Sequence, residues 1–406
     1  MNLSWRKVLR IVSPFALGYF LSYLYRTVNA VIAPDLVRDL GLNPATLGLL
    51  TGAYFLAFAA AQLPLGLLLD RFGPRRVEAS LLLIAAAGAM VFARAESVAG
   101  VMVGRAMIGL GVSACLMAAF KAFTLWFPPQ RLPLINSVQM VSGGLGALAA
   151  SSPVQIALEI TDWRGVFTLL AGLTLFAALA IFWVVPEQHE VGQRERFAVQ
   201  LEGLKTIMAS RAFWRITPWA VAAQSAYLSL PGLWAGPWLR DVAGYPRMAV
   251  AKVLMGVSLA MMAGYFSFGV LADYLTRRGI PLIAVAAAGM LAFMGVQLLL
   301  IVPCAGLSSF LWMLFGFFGT ACILPYAVLS QSFAKPLSGR ANTALNVLVF
   351  SAAFIAQWGV GVVVGCWPLT ASGGYQPAGY QTGFSLLLVL QVLAALWFLR
   401  IGKKSD

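Results

Sequence analysis

Twelve apolar stretches, each long enough to cross a bilayer, follow one another along this chain of 406 residues. A helix rises about 1.5 Å per residue, so about 20 residues span a hydrocarbon core of about 30 Å. Because lipid offers the backbone no hydrogen bonds, such a segment must be helical. The sequence therefore predicts an all-α membrane protein with twelve transmembrane helices, near 11–33, 46–68, 77–95, 98–125, 132–157, 166–186, 213–236, 248–271, 281–302, 308–330, 341–366 and 382–400.

Charged residues make up 10% of the chain and hydrophobic residues 61%, whereas soluble domains carry about 25% charged residues. The net charge of +14 is explained by topology rather than by nucleic acid. With both termini in the cytoplasm, most Lys and Arg fall in cytoplasmic segments, as the positive-inside rule requires. The outer segments contain Arg38, Arg94, Arg164, Arg240, Arg247 and Lys252.

A polar interval and a repeated sequence divide the chain into two halves. "GLLLDRFGPRR" begins at Gly66 and "GVLADYLTRRG" at Gly269, which sets Asp70 and Asp273 half a chain length apart. We therefore predict two pseudo-symmetric six-helix bundles, at 1–186 and 213–406, joined by a cytoplasmic linker at 187–212 that includes an amphipathic helix. Internal repeats of this kind are typical of secondary transporters.

Three motifs carry a resemblance to a known family. The stretch from Gly66 resembles the loop signature of the major facilitator superfamily, "GRAMIGLG" at 104–111 resembles its fourth-span motif, and "DWRGVF" at 162–167 resembles its turn into span 6. The resemblance covers essentially the whole chain. It implies the major facilitator fold and secondary transport by alternating access.

A finer similarity concerns span 1, where "YRTVNAVIAPDL" is similar to the anion-transporting branches, including organophosphate and organic anion carriers. Proton-coupled members of those branches commonly have an acid where this chain has Tyr25. Organophosphate exchangers typically have a second arginine in span 7, which is absent here. The antiporter glycine motif of span 5 is absent as well, so the mode of coupling stays open.

The loop between spans 2 and 3 is predicted to act as a conformational latch. A carboxylate at Asp70 can face the positive end of a helix, and glycines at Gly66 and Gly73 allow close approach and a tight turn. Arg71, Arg75 and Arg76 can pair with acidic groups or with carbonyls at helix C-termini of the opposite bundle, and Asp273 repeats the carboxylate in the second half. For Arg75 and Arg76, plain positive-inside topology is an equal explanation.

Three cations lie well inside the predicted spans: Arg26, Arg105 and Lys121. Every acid falls in a loop or at a membrane edge, the edge acids including Asp35 and Glu78. Buried charge is costly unless it is paired, so these cations predict an anionic ligand. Arg26 and Arg105 share a depth near the midplane, whereas Lys121 belongs to an inner vestibule or reaches the headgroups.

Helical spacing places Tyr19, Tyr23, Arg26 and Asn29 along one side of span 1. Arginine offers a bidentate fork for a carboxylate, and tyrosine offers donors and flat apolar contact. Span 7 adds Tyr227 and Trp234, beside prolines and glycines that should interrupt the helix. Alternatively, Arg26 caps backbone carbonyls and Arg105 supports packing or coupling.

These features predict a transporter of a small, carboxylate-like organic anion in a bacterial inner membrane, acting as a monomer. No catalytic constellation, nucleotide-binding loop or metal-site spacing is present in the sequence, so we expect no enzyme activity, cofactor, metal or nucleic-acid partner. An exporter of amphipathic or drug-like compounds is the alternative, and a non-transporting assembly or sensor protein is a third. Without an acid inside a span, transport should depend little on a proton gradient.

Overall fold

The computed structural model describes residues 5–187, 197–302, 306–371 and 373–402, and in these ranges it contains helices and no β-strand. The residues of the predicted linker between 188 and 196 lie outside the described ranges. The helices are α1 (Trp5–Thr27), α2 (Asn29–Leu40), α3 (Pro44–Arg94), α4 (Val98–Gly111), α5 (Cys115–Trp126), α6 (Leu132–Ala149), α7 (Ser152–Ile160), α8 (Trp163–Val184), α9 (Phe197–Met208), α10 (Arg211–Ser229), α11 (Ala235–Asp241), α12 (Arg247–Arg277), α13 (Leu282–Ile301), α14 (Ser308–Gly319), α15 (Leu324–Ser332), α16 (Lys335–Val364) and α17 (Pro377–Gly402).

Ten of the described helical segments are long and apolar enough to cross a membrane. One of them, α3, contains predicted spans 2 and 3, joined at Gly73 where φ is +77° and ψ is 159°. Such a positive φ is accessible to glycine at little cost, which confirms the predicted turn. Because α3 contains two spans, the ten segments account for eleven of the twelve predicted spans. The remaining one, span 7, consists of α10 and α11 together.

Span 7 is interrupted where its prolines and glycines predict a break. A π-helical turn at Leu230–Trp234 separates α10 from α11. Pro231 cannot donate a backbone hydrogen bond, so the regular ladder must adjust around it. Span 4 is also divided, between α4 and α5, and a short 3₁₀ segment at Thr320–Ile323 divides span 10. A helix, α9, is present within the interval predicted as the linker.

The helices form two compact units. Unit 1 comprises residues 1–41 and 53–195, and unit 2 comprises 42–52 and 196–406. Within unit 1, α1 packs against α5, α6 and α8. Within unit 2, α10 packs against α16 and α17, and α12 packs against α14.

One end of unit 1 is held by the "DWRGVF" motif. Asp162 caps α8 by accepting a hydrogen bond from the Gly165 amide at 2.8 Å. The next residue, Trp163, donates its indole N–H to Asp39 Oδ2 at 2.9 Å and so ties α8 to the end of α2. This hydrogen bond, assisted by Arg38 and Arg164, lowers the pKa of Asp39 below its usual value.

We expect Asp39→Asn to lower the free energy of unfolding by about 1–2 kcal/mol at neutral pH, because it weakens a charge-assisted hydrogen bond. A lowered folded-state pKa means that the carboxylate stabilises the fold above its unfolded pKa of about 4, and this contribution is lost as the pH falls further. Thermal unfolding of both proteins, from neutral to acid pH, measures the effect. Equal unfolding temperatures at neutral pH would contradict it.

Candidate functional site

The predicted aromatic and cationic side of α1 is present in unit 1. The rings of Tyr19 and Tyr23 meet edge to face, with centroids 5.2 Å apart. The guanidinium carbon of Arg26 lies 4.6 Å from the centroid of the Tyr23 ring. All three side chains are buried. Helix α6 closes this side at Gly143, where an added Cβ would lie 2.6 Å from Tyr19 and 2.8 Å from Tyr23.

Arg26 faces a second aromatic ring across the site. The Phe58 ring on α3 has its centroid 5.5 Å from the guanidinium carbon. Contacts between a desolvated cation and aromatic faces are worth up to about 2 kcal/mol each. They orient the guanidinium without supplying a neutralising charge.

Arg105 is buried more deeply than Arg26, at 1% exposure. Its Nη2 donates to the backbone carbonyl of Tyr25 at 2.8 Å. Within the described part of the chain, Nε and Nη1 have no hydrogen-bond partner. A buried donor without a partner costs about 1–3 kcal/mol, and two of them on one guanidinium form an incomplete site for an acceptor such as a carboxylate.

Tyr54 connects the two arginines and was not predicted from the sequence. Its ring centroid lies 5.1 Å from the guanidinium carbon of Arg105, and the ring stacks on Phe58 at 6.1 Å and 25°. Phe58 in turn contacts Arg26. The i, i+4 spacing of Tyr54 and Phe58 on an apolar helix could have indicated this shared face.

Asn29 adds a buried side-chain amide whose oxygen can accept a hydrogen bond from a ligand. The residue is 1% exposed, and its Oδ1 has no hydrogen-bond partner among the described residues. An amide oxygen accepts hydrogen bonds, so it suits a hydroxyl group better than a carboxylate. By contrast, the Tyr25 hydroxyl lies 2.9 Å from Thr174 Oγ1 on α8 and is already hydrogen-bonded.

Tyr227 and Trp234, the predicted site residues of unit 2, are packed inside that unit. The Tyr227 hydroxyl donates to the Gly316 carbonyl at 3.4 Å. The Trp234 indole N–H donates to the Gln357 carbonyl at 3.0 Å. Both side chains are buried. Their polar atoms therefore have structural partners, and their contribution to a ligand site stays a prediction.

The carboxylate of Asp70, in the loop between spans 2 and 3, forms an ion pair within unit 1. Lys121 Nζ on α5 donates to Asp70 Oδ1 at the end of predicted span 2. Lys121, which the sequence places in an inner vestibule or at the headgroups, is therefore the basic partner of the loop. The repeated carboxylate behaves differently, because Asp273 pairs with Arg277 one turn along α12, at 3.0 Å.

The basic residues of the loop contact an acid at the end of α8. Arg76 Nε lies 2.6 Å from Glu187 Oε1, and Arg75 Nη1 lies 3.7 Å from Glu187 Oε2. Arg71 lies over the ring of Phe72. Among the described residues outside its own helix turn, no atom lies within 4 Å of a Cβ placed on Gly66, so the close approach predicted there is not seen in this conformation.

One of the predicted edge acids is buried inside the protein. Glu78 has no exposed surface, although it stands at the second position of predicted span 3. The helix after Gly73 turns this side chain toward α1, where a Cβ on Gly18 would lie 2.5 Å from Oε1. The prediction that transport depends little on a proton gradient assumed that no such acid is buried, so it no longer has this support.

Comparison with known proteins gives a consistent result. The family model described as Major Facilitator Superfamily matches residues 15–357. The probable sulfoacetate transporter SauU of Cupriavidus necator is 26% identical over 288 residues, which cover 66% of this chain and 65% of that protein. The hexuronate transporter of Escherichia coli K12 is 27% identical over 184 residues, 45% of this chain and 42% of that protein.

A match of greater length is the probable galactarate/D-glucarate transporter GudP of Escherichia coli K12, 21% identical over 91% of this chain and 88% of that protein. Among solved structures, a bacterial homolog of the human lysosomal transporter Spinster has a TM-score of 0.77 at 18% identity, covering 99% of this chain and 98% of that chain. Nucleoside transporter NupG has a TM-score of 0.75 at 14% identity, covering 99% of this chain and 100% of that chain. At these identities the solved structures show a common fold.

Proposed function

Because this chain belongs to the Major Facilitator Superfamily, we propose that it is a secondary active transporter of a small, carboxylate-like organic anion. Alternating access of its two bundles carries the anion across a bacterial inner membrane. The chain is a multi-pass membrane protein. The two bundles comprise residues 1–186 and 213–406. The linker at 187–212 lies in the cytoplasm, as do both termini. The monomer is the functional unit.

The buried arginines of unit 1 are the observation that carries this proposal. Among the described residues, two guanidinium nitrogens of Arg105 have no hydrogen-bond partner, and Tyr54 and Phe58 link it to Arg26. A guanidinium binds a carboxylate through two parallel hydrogen bonds. Two guanidinium groups connected by the rings of Tyr54 and Phe58 suit an anion with acidic groups at one or both ends.

Asn29 and the tyrosines extend the proposal to hydroxylated anions. The unused Asn29 oxygen accepts a hydrogen bond from a hydroxyl, and tyrosine rings offer flat apolar contact to a carbon chain. The names of three relatives refer to sulfoacetate, hexuronate and galactarate or glucarate. This chemistry supports a small acid, with or without hydroxyl groups, as the substrate.

A thermal-shift panel on the purified protein tests the substrate class. We expect sulfoacetate, galacturonate or glucarate to raise the unfolding temperature, and to raise it further as the logarithm of the ligand concentration increases above Kd, because a ligand that binds only the folded state stabilises it. Neutral galactose serves as the matched control for galacturonate. Stabilisation by amphipathic drug-like compounds alone would instead support an exporter, and uptake by purified protein in liposomes excludes a non-transporting role.

We further propose that the loop from Gly66 to Arg76 controls the conformational equilibrium through the Asp70–Lys121 pair. Both Asp70→Asn and Lys121→Gln should bias the protein toward an inward-open state to the same extent. An exposed ion pair is worth up to about 1 kcal/mol, so the shift is about fivefold. Cysteine probes near the cytoplasmic side report the equilibrium, with exposed Glu96→Gln as control. Unchanged probe accessibility in folded Asp70→Asn would contradict the latch.

A further inference from the structure

Glu78 is a carboxyl group that the proposed anion site does not use. It lies on α3 in unit 1 and is completely buried. Neither of its oxygens has a hydrogen bond of acceptable geometry among the described residues. A carboxylate removed from water without a partner is strongly disfavoured relative to the neutral acid. The neutral form of Glu78 is therefore the one that this environment accepts.

The neighbours of Glu78 provide no compensating charge. From α1 it faces Gly18, where an added Cβ would lie 2.5 Å from its Oε1 and 3.5 Å from Leu82 on its own helix. From α5 it faces the thiol of Cys115, the one titratable group that acts on it within the described part of the chain. A thiol is a weak donor and carries no positive charge.

The surroundings of the carboxyl suit a proton rather than a metal ion. On the side of α1 the backbone approaches closely, because a Cβ on Gly18 would lie 2.5 Å from Oε1. The described residues contain no group of three or more side chains that could hold a metal. A proton is the ligand that fits a single enclosed carboxyl.

Glu78 is also linked to the arginine site. The Cys115 thiol interacts electrostatically both with Glu78 and with Arg26. Tyr19, which contacts Tyr23 beside Arg26, interacts with the same thiol. Glu78 and Arg26 are both buried in unit 1, where charges are weakly screened, so a negative charge formed on Glu78 makes the interior of this unit less favourable for an anion.

We propose that Glu78 is a proton-binding site of unit 1, occupied in the conformation described and emptied to water in another step of the transport cycle. On release, the carboxyl O–H bond breaks and the proton passes to water, leaving a carboxylate. The carboxylate then adds a negative charge to the interior of unit 1, and this charge disfavours the binding of an anion to the arginines of the same unit. The link to transport rests on the proposed function, whereas the protonation of Glu78 does not.

Infrared spectroscopy of the purified protein in lipid tests the protonation without any substrate. Exposed glutamates have a pKa of about 4.3 and are ionised at about pH 7. A protonated Glu78 should therefore be distinguishable from them, because it gives the wild type the carbonyl stretching band of a neutral acid at neutral pH. Glu78→Gln should lose this band. The exposed Glu159→Gln should keep the band, and Glu78→Asp should shift it. A wild type without this band, or a Glu78→Gln variant that loses carboxylate bands instead, would overturn the assignment.

Transport in proteoliposomes tests the coupling, with sulfoacetate as the probe. The wild type should accumulate sulfoacetate when the outside is made acid, and Glu78→Gln should lose accumulation while still exchanging labelled for unlabelled sulfoacetate. Accumulation by folded Glu78→Gln would overturn the coupling role. If the wild type exchanges no sulfoacetate, the substrate proposal fails for that anion, while the infrared result still decides the proton site.

Discussion

Replacing Arg26 with alanine is expected to weaken anion binding by about 30- to 4,000-fold, because truncating one partner of a buried charge pair costs about 2–5 kcal/mol. Arg26→Lys keeps the charge and loses the bidentate fork, so its affinity should fall between those of the wild type and the alanine variant. Titrating galacturonate or sulfoacetate, whichever stabilises the wild type, against both variants measures the losses.

Melting temperatures of the same samples separate binding from structure. Tyr23 and Phe58 supply the aromatic contacts of Arg26, and these are worth up to about 2 kcal/mol each. Removing a buried cation also relieves a desolvation cost, so the fold should lose little stability. Exposed Arg94→Ala is the matched control. A stable Arg26→Ala protein that binds as tightly as the wild type would remove Arg26 from the site.

Arg105→Gln should weaken anion binding by about 10- to 150-fold, because a hydrogen bond to a charged group contributes about 1.5–3 kcal/mol. The glutamine amide ends two bonds short of the Arg105 Nη2 that donates to the Tyr25 carbonyl, so this hydrogen bond is lost together with the charge. Its loss costs about 1 kcal/mol of stability, which relief of the desolvation of a buried cation offsets. Affinity and unfolding temperature are measured on the same purified protein.

The double variant of Arg26 and Arg105 shows whether both bind one anion. Residues that contact a common ligand have non-additive effects, with interaction energies of about 0.5–3 kcal/mol. The combined loss in the double variant should therefore differ from the summed losses of the single ones. An Arg105→Gln protein with normal affinity and lowered stability would instead assign Arg105 to packing.

Much of the fold could be predicted because its determinants are local. The lengths of the apolar runs predicted the spans, and Gly73 and Pro231 predicted the turn and the break observed near them. Helical spacing also placed Tyr19, Tyr23 and Arg26 together, and the structure confirms their contacts. In each case the relevant residues lie within a few turns of one helix.

The site could be predicted less completely, because its remaining contacts join different helices. Nothing in the spacing of Asp70 and Lys121 shows that they meet, since 51 positions separate them. The same holds for Tyr54, whose contact with Arg105 depends on how α3 packs against α4. Tyr227 and Trp234 have the right spacing to share a helix face, yet their polar atoms bind backbone carbonyls within unit 2.

The sequence by itself determined that this chain spans a membrane with twelve helices, belongs to a transporter-like architecture and buries arginines. Hydrophobic length and helical period decide those properties, and both can be measured along a single segment. Only the tertiary structure decided that Glu78 is buried against Gly18 and that Arg105 keeps unused donors. Burial depends on which helix covers a given face, and that choice is made by packing between segments far apart in sequence.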